Sequence, residues 1–159
     1  MKFEPEHPER RGADEAHSKD STARKYDLED RLLDFAVGVI DVSEKMPDSR
    51  ASNHIAGQIL RSGTSPYGNH GEAQSPESMD DFIHKMKICL KELRETRRWA
   101  KLIWRKRWLG EDGQLAFVLG ESEELIRIFK ASIQTAERNR AAKHPPATQH
   151  PGATPSAGN

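Results

Sequence analysis

Apolar residues recur through the middle of the chain at spacings of three and four. Leu28, Leu32, Phe35, Val39 and Met46 share one helical face over about residues 27–46, and Pro47 stops that segment. A second segment starts near Asp48 or Ser49, either of which serves as an N-cap, and carries Ile55, Ile59 and Leu60. The third follows Ser75-Pro76-Glu77, a cap with proline at the first helical position, and holds Phe82, Met86, Cys89, Leu93, Thr96, Ala100 and Ile103. After the break at Gly110 and Gly113, Leu115, Val118, Ser122, Leu125, Phe129, Ser132 and Ala136 repeat the rhythm. Alternating threes and fours make the seam of antiparallel helices crossing at small angles, and short connections make neighbours antiparallel. No strand-like alternation competes. The pattern predicts an all-α, up-and-down antiparallel four-helix bundle over residues 26–140.

The second segment strains this pattern. Gly63, Pro66, Gly68 and Gly71 sit where the bundle needs helix to continue. A mid-helix proline costs about 3 kcal/mol and each glycine about 1 kcal/mol relative to alanine. Two readings stay open: a loop between two shorter helices, or a helix kinked at Ser65-Pro66 whose small residues admit another backbone.

Residues 1–25 are charged and nearly free of apolar side chains, and residues 141–159 are rich in Pro, Ala, Thr and Gly. Neither offsets the entropy of ordering, so both are expected to be disordered tails. With Lys+Arg 25 against Asp+Glu 25, no global field draws the chain to nucleic acid or membrane; any attraction comes from local segregation of charge. One cysteine, Cys89, excludes an internal disulfide framework. No apolar run approaches the roughly 20 residues that span a bilayer, and no signal-peptide core is present. The expectation is a cytoplasmic protein that makes no membrane contact.

Four motifs, YDLEDRLLDFAVGVI (26–40), HIAGQILRSGTSP (54–66), GEAQSPES (71–78) and DFIHKMKICLKELRETRRW (81–99), occur in this order. Together they resemble the bacterial four-helix bundle proteins encoded within intervening sequences of 23S ribosomal RNA genes, over roughly residues 26–139. Tyr67-Gly68-Asn69-His70 departs from that family, which usually has small residues followed by Asn-Tyr. The resemblance implies the same bundle and a ring of identical subunits, a homopentamer. It also implies kinship with the accessory variability determinant proteins of diversity-generating retroelements, which are basic and pentameric and bind reverse transcriptase and nucleic acid. It supplies no catalytic residues to carry over.

The third segment carries the best candidate chemistry. Opposite its apolar seam lie Lys87, Lys91, Arg94, Arg98, Lys101 and Arg105, spaced four and three with no acid between them on that face. From Lys85 to Arg107 there are ten Lys/Arg and only two acids, Glu92 and Glu95. Such a row suits a phosphate backbone, in RNA or DNA, and binding of this kind is salt-dependent and largely blind to sequence. A protein partner suits it too: the first segment carries Asp27, Asp30, Asp34 and Asp41, and in a ring acidic helix one would meet basic helix three of the next subunit. A reverse transcriptase is a further protein partner implied by the resemblance. Plain solvation of an outer face is the third reading.

Trp99, Trp104 and Trp108 stand among five cations, which fits base stacking or an interface hot spot; Trp104 falls about 45° from the seam centre and is expected in the core. His54, His70 and His84 fall on separate segments without ligand spacing, and Cys89 lies on the seam as a buried, inert thiol. No cofactor, metal or catalytic constellation is expected. Two functions remain: a non-catalytic oligomer binding RNA or other nucleic acid through the third helix, and a ring-forming scaffold in which that helix meets protein.

Overall fold

The computed structural model describes residues 14–143, with the side chains of the first helix described from Leu28 onward. Its helices are α1 (Asp14–Glu44), α2 (Arg50–Ala73), α3 (Met79–Lys106) and α4 (Gly113–Lys143). α1 packs on α2 and α4, and α3 packs on the same two, so α1 and α3 stand at opposite corners of an up-and-down bundle. The four predicted seams meet in one core: Leu32, Phe35, Val39, Ile59, Leu93, Ile103, Val118, Leu125 and Phe129 are fully buried. Each such side chain contributes about 1.5–3 kcal/mol by leaving water. No strand occurs among the described residues, and no helix among them is long and apolar enough to cross a membrane.

Local chemistry sets the helix ends. Ser49 caps α2, its Oγ accepting from the Ser52 amide at 3.2 Å. α3 begins later than Ser75-Pro76-Glu77 suggested. Its N-cap is Ser78, whose Oγ accepts from the Asp81 amide at 3.1 Å while Asp81 Oδ2 accepts from the Glu77 amide at 3.1 Å. This reciprocal arrangement satisfies two amides and outcompetes the single cap at Ser75, which is left in the connecting turn. Asp112 starts α4: its Oδ1 accepts from the Gln114 and Leu115 amides, both at 2.9 Å, and its Oδ2 receives Lys45 Nζ at 2.9 Å. The Lys45 ammonium, then the amides, hold this carboxyl below the ordinary carboxylate range.

α2 runs unbroken through Pro66, so the loop reading of residues 63–71 is overturned. Packing explains why it survives. Pro66 is buried, its carbonyl lies 3.6 Å from Cys89 Sγ, and the hydroxyls of Ser62 and Thr96 are hydrogen-bonded at 3.0 Å across the α2–α3 seam. Gly63 faces Val39 of α1 so closely that a Cβ there would lie 2.5 Å from Val39 Cγ1.

Other expectations shift at the margins. α1 begins at Asp14 rather than near Asp27. Leu60, expected in the core, is exposed, and on α4 Ile133 is buried where Ser132 was expected to close the seam. Of the tails expected over residues 1–25 and 141–159, residues 14–25 belong to α1 and residues 141–143 to α4, and residues 1–13 and 144–159 lie outside the described residues.

Candidate nucleic-acid interface

The seam of α3 buries Met86, Cys89, Leu93, Thr96, Ala100 and Ile103, which turns the opposite face outward. All six predicted cations, Lys87, Lys91, Arg94, Arg98, Lys101 and Arg105, are exposed there. Eighteen residues of rise place the ends of the row about 27 Å apart. The charges are unevenly spent. Lys87 Nζ pairs with Glu137 of α4 at 2.6 Å, and Lys91 Nζ lies 3.9 Å from Glu92. Arg94, Arg98, Lys101 and Arg105 form no ion pair among the described residues.

The two acids within this stretch do not dilute the row, because Arg61 of α2 takes both. It bonds Glu95 and approaches the buried Glu92 at 3.6 Å. Arg97, beside the row, is spent on Glu123 of α4 at 2.9 Å. An open groove of about 1140 Å³ follows the row. Lys87, Lys91, Arg94, Arg98 and Lys101 rim it, and Leu90, Ile126 and Ile133 give it an apolar component.

The tryptophans divide. Trp99 is half-buried and donates from Nε1 to Glu95 at 3.3 Å. Trp108 packs against the core with Lys106 Nζ 5.6 Å from its ring centroid. Trp104, expected in the core, is instead 57% exposed. It lies within a second depression whose far wall includes Gly120 of α4, a residue with no side chain to cover the indole. The wheel angle of Trp104 was readable from sequence; the glycine opposite it required the register of two helices.

A second surface went unread. Leu33, Val37 and Ile40 are exposed on the outer face of α1, at 42%, 47% and 37%. Their spacing of four and three matches the buried seam and was visible in the sequence as a second apolar row. Asp30 and Asp34 are exposed beside it, with Asp41 half-buried, and none of the three forms an ion pair among the described residues. Since α1 and α3 occupy opposite corners, these acids do not reach the basic row of their own chain.

Other candidates are structural. Cys89 is fully buried, and burial pushes its thiol up to about 12, where it is neither nucleophile nor ligand at neutral pH. His70 is buried edge-on to Phe129 with ring centroids 6.0 Å apart and one ring nitrogen 3.0 Å from Gln74 Nε2. His54 and His84 are exposed on different helices. Among the described residues, no three His, Cys, Asp or Glu side chains come together as a metal site.

A family model described as "23S rRNA-intervening sequence protein" matches residues 24–131. Among solved structures, a protein of unknown function from the S23 ribosomal protein family of Bacteroides thetaiotaomicron is 32% identical, with a TM-score of 0.61. That match covers 67% of this chain and 97% of the other. No curated protein matches.

Proposed function

The chain belongs to the 23S rRNA-intervening sequence protein family, and from that premise we propose that it is a non-catalytic, cytoplasmic module that binds RNA or other nucleic acid along the outer face of α3. One observation carries the reading: Arg94, Arg98, Lys101 and Arg105 form an exposed row without ion-pair partners among the described residues, while the nearby acids are engaged by Arg61 and Arg97. Unspent, parallel charge on a rigid helix neutralises phosphates without first breaking an ion pair, and the arginines add bidentate contacts that lysine lacks. With about four phosphates neutralised, log affinity should fall with log salt at a slope near −3.

The face of α1 favours a second reading, a homo-oligomeric scaffold that is a pentamer by family resemblance. In it the basic groove of α3 receives either the apolar row of Leu33, Val37 and Ile40, with its flanking aspartates, from another copy, or a protein partner such as a reverse transcriptase. The readings part on whether the row stays open in the assembly.

The test is an RNA titration across salt using the full-length chain and Lys91→Glu/Arg94→Glu/Arg98→Glu, with solution mass recorded for both. Salt-sensitive binding that vanishes in the variant at unchanged mass supports the nucleic-acid surface. Absence of binding in the parent, with a variant that falls apart, makes the row a subunit interface.

A further inference from the structure

We propose that the α3 surface takes single-stranded rather than duplex nucleic acid, with Trp104 as the platform on which an unpaired base stacks. This inference rests on the nucleic-acid reading above and names the class of strand.

Trp104 is the starting point because it breaks the pattern of its helix. Its wheel position lies near the seam, yet more than half of its surface is open, at 57%. The other two tryptophans are held, one by Glu95 and the other by the core. The depression that contains Trp104 has a volume of about 700 Å³, within the range that accepts a small organic ring system with its sugar. Gly120 on the α4 side leaves space beside it: a Cβ added there would meet nothing within 4 Å.

Charge decides what fills that space. Arg98, Lys101 and Arg105 line the same depression and are unspent. Its one acid, Glu123, is already occupied, with Arg97 on one carboxylate oxygen at 2.9 Å and Arg127 on the other at 3.4 Å. An apolar ring in a field of free cations matches a ligand with an aromatic face and a negative backbone. An unpaired nucleotide has both. In a duplex the base faces are stacked on one another and withheld from the protein, so a stacking side chain gains only on single strands or flipped-out bases. Lys101, three residues before Trp104, is its neighbour on the helix surface, and with Arg98 and Arg105 it lines the same depression, which supplies cations for the phosphates next to the stacked base.

The experiment follows a dye-labelled RNA 12-mer and the same strand annealed to its complement, by anisotropy at low salt. It uses the full-length chain, Trp104→Ala and Trp104→Phe, with helix content and solution mass recorded for each. The parent should prefer the single strand. Trp104→Ala should weaken single-strand binding by at least about fivefold and leave the duplex unchanged, while Trp104→Phe should retain most of the affinity. Equal affinity for both strands, or an alanine variant that binds the single strand unchanged, overturns the stacking inference and leaves the basic-row reading standing. No binding of either RNA by the parent overturns both. A drop in mass on Trp104→Ala makes the indole a protein contact and overturns the inference by that route.

Discussion

Gly63 shows how one hydrogen atom in place of a methyl sets the distance between two helices. A Cβ there would lie 2.5 Å and 2.7 Å from the two methyl carbons of Val39, which is β-branched and cannot swing aside within its helix. Gly63→Ala gains about 1 kcal/mol of helix propensity yet should lose about 1–3 kcal/mol net, because α1 must move off α2. Chemical denaturation of the single and double variants tests this, since Val39→Ala should restore much of the loss if the clash is its cause. Gly68 gives the contrast: it is exposed, nothing lies within 4 Å, and Gly68→Ala should stabilise by about 0.5–1 kcal/mol. The sequence flagged both glycines alike. Only the partner across the seam separates a glycine that admits a neighbour from one that merely weakens its helix.

At the scale of the element, α2 is a helix that its own residues oppose and its neighbours enforce. Pro66 removes one amide donor at a cost of about 3 kcal/mol, while its buried ring returns some of this through packing, about 0.8 kcal/mol per methylene. For Pro66→Ala the restored hydrogen bond should outweigh about two lost methylenes, leaving the bundle folded and more stable by about 1 kcal/mol. Thermal melts followed by circular dichroism measure this, and a large loss of stability would mean that the rigid ring itself holds α2 in place. The other three helices were legible because apolar period and the breaks between them agreed, although the starts of α1 and α3 were placed wrongly. The start of α3 was misread because Ser75 and Ser78 are both credible caps in isolation. Ser78 prevails through Asp81 three residues on, which returns a hydrogen bond to the Glu77 amide.

Over the whole molecule, zero net charge conceals a separation. Ten cations and two acids lie between Lys85 and Arg107, while Asp30, Asp34 and Asp41 lie on α1 at the opposite corner of the bundle. The basic row was legible in the sequence because an outward cation needs only the right register on one helix. Trp104 was not, because its surroundings are set by where α4 lies beside α3, with Gly120 lining the same depression. The same separation makes α1 the place to test assembly. Leu33 and Val37 are already 42% and 47% exposed, so Leu33→Lys/Val37→Lys should leave helix content unchanged in the single subunit. If this face seats on the basic groove of another copy, two lysines replace apolar contact with like-charge repulsion, and mass measured by light scattering should fall to that of the monomer. Nucleic-acid binding by that monomer then separates the two readings. If α1 of a neighbour covers Arg94 and Arg98, freeing them should strengthen binding per subunit. If the row stands open in the assembly, each subunit should keep its salt slope and lose only the avidity of the ring. An unchanged mass removes α1 from the interface and leaves its apolar row for a different protein.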